Sequence, residues 1–243
     1  YRRLFWAAHQ ALNRTGNRRD RVLMGETAPR GNSNVVHPLR FLRGALCLNK
    51  RYKMRRSCNK LDIDGWAHHP YTTRRGPRYR PRARDAVMIG TLSRLRRALD
   101  RAARAGAIRR RAGIYLTEFG IQSKPDPIYG VSQTRQAEWR ALAEQIAFRN
   151  SRVRAFSQYL MRDDAKQGRR YGGFESGLRY HGGRRKKAFR AFRLPMTATR
   201  SSKRRVRLWG LVRPAAGRTR VTIHRRDRGS RRWRLLKSDR TDR

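Results

Sequence analysis

The sequence predicts an α/β fold built on a parallel sheet, followed by a small β-rich module. Three observations carry this reading. Short apolar runs rich in β-formers alternate with longer segments whose apolar residues recur every three to four positions. Four strand-then-helix steps of this kind follow one another, the signature of a parallel architecture. After Pro195 the helical spacing stops and short alternating runs take over.

The elements follow in order. Residues 1–14 read as a helix (Leu4, Phe5, Ala8, Leu12) ending near Gly16, and 21–25 as a short strand that ends at Glu26. Pro38 to Leu46 is a second helix. Leu61-Asp62-Ile63-Asp64 alternates as a strand and runs into Gly65-Trp66-Ala67-His68-His69-Pro70-Tyr71. The Arg, Gly and Pro of 74–84 make a loop. Met88, Leu92, Leu95, Leu99 and Ala102 define an amphipathic helix over 87–105, stopped by Gly106. Ile114 to Glu118 is a buried strand that ends on a carboxylate. Ser132 is placed to cap a helix with Trp139, Leu142, Ala143 and Ile146 on its apolar face. Val153 to Leu160 is the next strand and Ala188 to Phe192 a last short helix. The predicted domain boundaries are 1–196 for the α/β part, 197–205 for a basic linker and 206–243 for an incomplete β module with strands at 206–212, 220–224 and 233–236.

At 243 residues the chain holds one large domain, or one domain and a small second one. Lys and Arg number 63 against 16 Asp and Glu, a net charge of +47, and 54 of the 63 are arginine. A charge of this size normally points to nucleic acid. Here the arginines lie in nearly every segment rather than in one stripe beside stacking aromatics, and no finger, helix-turn-helix, RRM or KH signature accompanies them. The distribution argues against specific nucleic-acid recognition and for a solvated cationic surface that adheres non-specifically to polyanions at low salt. Cys47 and Cys58 are either a disulfide in an exported protein or two thiols. No Cys/His spacing suggests a metal, no cofactor fingerprint is present, and no run spans a membrane. The chain starts at Tyr1, without Met, inside a helix-like stretch, which is expected of a fragment; a missing signal peptide therefore says nothing about export.

Each predicted strand ends in polar residues: Glu26, then Asp64 to Tyr71, then Glu118, then Gln158 and Tyr159. Polar groups converging from consecutive parallel strands are how a (β/α)8 barrel builds an active site. Two glutamates on separate strand ends suit glycoside hydrolysis, which uses one carboxylate as nucleophile and one as acid/base. Trp66, Tyr71 and Tyr159 suit sugar rings, whose C–H faces pack on aromatic planes.

The ordered motifs Val22-Leu23-Met24-Gly25-Glu26-Thr27-Ala28-Pro29, Asp64 to Tyr71, Leu116-Thr117-Glu118-Phe119-Gly120 and Ser157-Gln158-Tyr159 resemble the second half of a clan A glycoside hydrolase, the group that holds cellulase-like family 5 and β-xylosidase-like family 39 enzymes. Gly173 to Leu178 and Gly183 to Phe192 resemble the closing loop and last helix of such barrels. The resemblance covers residues 1–195 and implies the C-terminal half of a (β/α)8 TIM barrel, followed by the start of a small β module. It implies retaining hydrolysis of a β-linked glycoside or polysaccharide, with Glu118 as nucleophile. The family's acid/base lies in an Asn-Glu-Pro motif that this sequence lacks, so it is expected upstream of Tyr1. Glu26 then falls on strand five as a carboxylate that binds substrate or supports the residues that do, its pairing with Glu118 as a catalytic dyad being the less favoured alternative. His68 and His69 match a histidine-rich motif: each either orients Glu118 or a sugar hydroxyl, or simply bonds backbone in a tight turn. Asp64 is open between hydroxyl binding and an arginine partner, and Trp66 between packing and a sugar platform. Tyr71, Gln158 and Tyr159 complete the expected substrate-binding set, whereas Asp163 and Asp164 read as structural.

The basic tail resembles the accessory β module that follows such barrels and is open between attachment to anionic polysaccharide and plain solvation. The implied protein is secreted, takes a carbohydrate substrate and needs no cofactor, and the fragment alone is expected to be inactive. The competing reading is a non-catalytic carbohydrate- or polyanion-binding protein.

Overall fold

The computed structural model describes residues 1–165, 173–215 and 217–242. Helix α1 (Arg2–Arg14) leads into strand β1 (Leu23–Thr27), helix α2 (Pro38–Ala45) and strand β2 (Gly65–His68). A 3-10 turn at Ile89–Thr91 opens helix α3 (Leu92–Arg104), followed by strand β3 (Gly113–Phe119), helix α4 (Gln133–Phe148), strand β4 (Val153–Gln158) and helix α5 (Lys187–Arg193). The four strands form one parallel sheet in sequence order, β1-β2-β3-β4. The protein is thus mixed α/β with a parallel four-stranded sheet, and β1 and β4 are its outer strands.

Why these residues make this sheet is visible in β3. It lies between two neighbours, so Ile114, Leu116 and Phe119 are fully buried, as a central parallel strand requires. They join Met24, Leu42, Leu95, Leu99 and Trp66 in one core between the sheet and the helices. The α3 stripe Leu92, Leu95, Leu99 and Ala102 is buried against it, while its arginines stay outside. Arg152 ties the start of β4 to Asp100 of α3 at 2.5 Å and to the Ala112 carbonyl at 3.0 Å through Nε. The predicted cap is present: Ser132 Oγ accepts from the Arg135 amide at 3.2 Å. Cys47 and Cys58 form a disulfide.

Three expectations need correction. The strand expected at 61–64 begins at Gly65; Leu61 makes only an isolated bridge to Ile108, because the alternation of 61–64 is that of a buried approach to the sheet. Helix α4 buries more than an apolar stripe: Gln136, Arg140, Glu144 and Gln145 are also buried. Its second side is covered by α5 and by strand β5 (Met196–Arg200); two of the polar groups there find partners, whereas among the described residues Arg140 Nε and Nη1 have no hydrogen-bond partner and the guanidinium lies 5.5 Å over the Phe192 ring. Gln136 donates to the Ile121 carbonyl at 2.8 Å, and Glu144 pairs with Arg213. Last, the segment read as linker supplies β5, which pairs antiparallel with β6 (Val206–Gly210). Thr197 and Thr199 are β-branched strand formers, and their polarity hid them. Strands β7 (Arg220–Arg225) and β8 (Arg234–Arg240) make a separate antiparallel pair.

Candidate functional site

The site lies at the C-terminal ends of the parallel strands, where crevices of open α/β sheets take ligands. Its two carboxylates both sit on irregularities of the ladder. Between Gly25 and Thr27 the β1–β2 register shifts, so that Glu26 has no partner across the sheet. Glu26 adopts φ 54, the left-handed region, and Gly25 before it φ 122. A side chain on Gly25 would collide with the Ala67 carbonyl and the Trp66 ring, so glycine alone fits. The bulge turns Glu26 out of the pleat, as bulges near functional sites do. On β3 the register with β4 also shifts, between Leu116 and Phe119, around Thr117 and Glu118.

His69 stands between the two carboxylates. Its Nε2 is 3.3 Å from Glu26 Oε1 and its Nδ1 is 3.4 Å from Glu118 Oε2. These are ion-pair distances without hydrogen-bond alignment at Nε2. A neutral ring can donate to one carboxylate only, an imidazolium to both. The His69 amide donates to the Thr27 carbonyl at 3.0 Å, which fixes the ring's root on β1. Tyr71 donates its hydroxyl to Glu118 Oε2 at 3.0 Å, and Thr117 donates to Glu26 Oε2 at 2.8 Å. Burial, and then the Glu118 charge, push the Tyr71 phenol well above its ordinary range, so it stays a donor. Burial and the same charge also raise Tyr159. Exposure of the side chains is 53% for Glu26, 35% for Glu118 and 22% for His69, so both carboxylates are within reach of a ligand.

The rim is braced from the C-terminal side. Gly120 lets the chain pass close to the Tyr159 carbonyl and Ser176, which a Cβ would strike. Behind it Lys186, fully buried, donates to Asp163 Oδ1 at 2.6 Å, Ser123 Oγ at 3.0 Å and the Glu175 carbonyl at 3.0 Å. Asp163 also accepts from the Gly177 amide at 2.8 Å, and Asp164 from the Phe174 amide at 2.8 Å. All three N–H groups of a buried ammonium are thereby used.

Part of the chain is similar to solved β-glucuronidases. For the enzyme of Ruminococcus gnavus the identity is 18% and the TM-score 0.36, over 54% of this chain and 21% of that one. For that of Lactobacillus rhamnosus the identity is 17% and the TM-score 0.33, over 51% and 21%. For that of Faecalibacterium prausnitzii the values are 16% and 0.35, over 53% and 20%. The chain thus spans about a fifth of the length of these structures. No protein-family model matches the chain, and no curated protein matches it.

Of the residues expected at the site, Glu26, His69, Tyr71 and Glu118 come together, with Tyr159 beside them. Three do not reach it, and the reason in each case is burial or position. Asp64 precedes β2, at the opposite end of the sheet, where it accepts from the Val22 amide at 2.7 Å and pairs with Arg109 at 3.0 Å. Trp66 is fully buried against Phe41. His68 is fully buried with both ring nitrogens occupied, Nδ1 2.8 Å from Thr27 Oγ1 and Nε2 3.0 Å from the Val87 carbonyl. Burial pushes its imidazole down to about 4, so it is neutral, accepting from Thr27 and donating to Val87. Gln158 spends its amide nitrogen on the Ser176 carbonyl at 3.0 Å. Sequence reasoning gave no role to Thr117, although it lies inside the Leu-Thr-Glu-Phe-Gly motif, nor to Lys186, whose burial has no signal in a basic sequence. Among the described residues no group of three or more His, Cys, Asp or Glu is arranged to hold a metal, and no helix is long and apolar enough to cross a membrane.

Proposed function

We propose that this protein is a retaining glycoside hydrolase acting on a β-linked glycoside, with Glu118 as the nucleophile. The observation that carries the proposal is the setting of Glu118. It stands at the C-terminal end of a central parallel strand, held by the Tyr71 hydroxyl and His69 on the same oxygen and left partly open. An oriented, accessible carboxylate of this kind can attack an anomeric carbon to give a glycosyl-enzyme, which water then opens. Glu26 directs both oxygens at donors, Thr117 and His69. That arrangement suits a carboxylate that orients His69 or binds a sugar hydroxyl, and it leaves the proton donor to a carboxylate on another part of a (β/α)8 barrel, of which four strands are present here. The family 5 or 39 likeness of the motifs, the carbohydrate substrate and secretion belong to the same proposal; the Cys47–Cys58 disulfide supports an oxidising compartment.

Activated 2-deoxy-2-fluoroglycosyl fluorides test the nucleophile without any proton donor, because fluoride leaves unaided. The chain is incubated with a panel of such sugars and its peptides are mapped by mass spectrometry. Label on Glu118, absent from Glu118→Gln, is the expected result. Label on Glu26 would reverse the two roles, and a chain that no sugar labels would sink the proposal. The competing reading, a non-catalytic binder of carbohydrate or polyanion, draws on the tail, where Trp233 is exposed beneath the Arg226 guanidinium at 5.1 Å.

A further inference from the structure

Beside Glu118 residues from the loops after all four parallel strands, with Trp139 of α4, line a pocket of about 260 Å³. Its walls include Tyr71, Tyr129, Trp139 and Phe174, and among the described residues Arg30 is the one charged residue lining it and no carboxylate does. A cationic occupant has no described partner there. Arg30 is exposed, and its Nη2 donates to the Tyr129 hydroxyl at 3.1 Å. This contact anchors one arm of the guanidinium fork over an aromatic wall and leaves further donors for a ligand. Tyr71 belongs both to the pocket and to the Glu118 hydrogen bond, and Gly120, two residues beyond Glu118, completes the shared wall. The space suits one ring rather than an extended chain.

We propose that this pocket binds a single aromatic ring bearing a carboxylate, the ring packed among the four aromatic side chains and the carboxylate on Arg30. Calling it the leaving-group side of the cleft rests on the glycosidase reading, in which the substrates would be aryl glycosides with an acidic aglycone. The binding itself does not depend on that reading. Aromatic walls supply affinity through face and edge contacts, and a fixed guanidinium supplies the choice of an acid over its neutral counterpart.

The test is calorimetric titration of the whole chain with 4-hydroxybenzoate and with its neutral isostere 4-hydroxybenzamide, in about 0.3 M salt so that diffuse attraction to the cationic surface is screened. The expected result is one-to-one binding with the acid held about tenfold tighter than the amide, the scale of one charge-assisted contact. Arg30→Ala should erase that difference while leaving the amide unchanged, and Tyr129→Ala should weaken both. Equal binding of acid and amide would overturn the proposal. So would an acid preference that survives Arg30→Ala, since that preference would belong to the general charge. Neither probe contains a glycosidic bond, so their binding does not test Glu118 as a nucleophile. Binding without labelling of Glu118 by the fluorosugars would therefore remove the glycosidase and keep the pocket, whereas labelling without binding would do the reverse.

Discussion

Glu26 and His68 show how a residue's backbone and burial decide its role. A non-glycine residue at φ 54 costs roughly 1–2 kcal/mol, and glycine at that position removes the cost. Glu26→Gly should therefore be at least as stable as the parent in urea denaturation, even after losing the Thr117 contact, while Glu26→Val should be less stable by about 1–2 kcal/mol. Stability gained where a carboxylate is lost would mark a position held for its chemistry. His68 makes a pH prediction. Its imidazole is at about 4 in the folded protein against 6.5 when unfolded, so between these values the unfolded state binds the extra proton. Its contribution is complete above pH 6.5 and falls away as the pH drops towards 4, by about 3 kcal/mol in all. Urea titrations at pH 7 and pH 4.5 should show this loss, and His68→Gln, which cannot titrate, should flatten it. The sequence showed two adjacent histidines and could not rank them. Alternation along a strand sends neighbours to opposite faces, but which face is the core is set by the sheet's neighbours, not by the pair.

At the scale of elements, the strands and helices of the α/β part were legible because their periods are strong and their caps have chemistry, as Ser132 illustrates. Boundaries moved where burial, not periodicity, set them: the 61–64 alternation lies outside the sheet, and the Thr-rich segment taken for a linker is a strand. The Lys186 cluster was invisible, since one buried lysine among 63 basic residues differs from the others only in what surrounds it. The cluster joins the loop after β3, the loop after β4 and the start of α5. Lys186→Met would leave Asp163 buried without its cation and should cost about 3–5 kcal/mol, read as a shift in the urea midpoint. The double variant Lys186→Met/Asp163→Asn should recover much of that loss. Recovery distinguishes an unpaired charge from a merely oversized side chain.

Over the whole molecule the charge of +47 is spread across helices, loops and both C-terminal strand pairs, so each arginine has many like neighbours and few acids. Association with a heparin column should be strong at low salt and fall steeply and smoothly as salt rises, without preference among polyanions of equal charge density. Retention that resists high salt would mean a shaped anion site instead. The candidate site is the exception to this excess: Glu26 and Glu118 face each other across His69, and among the described residues no arginine is paired to either. In the sequence a strand-end carboxylate such as Glu118 is open between an arginine partner and a site role, because spacing alone does not say which cation stands beside it.

Tyr1 has a consequence for the bulge that carries Glu26. Its hydroxyl accepts from the Gly25 amide at 2.9 Å and lies 3.4 Å from the Gly25 carbonyl, its ring resting against Phe41 at 5.0 Å. One phenol thus holds both backbone groups of Gly25, the residue just before the bulge that aims Glu26. Tyr1→Phe would leave that amide and carbonyl without their side-chain partner, so the orientation of a carboxylate in the cleft leans on an aromatic residue that never enters it.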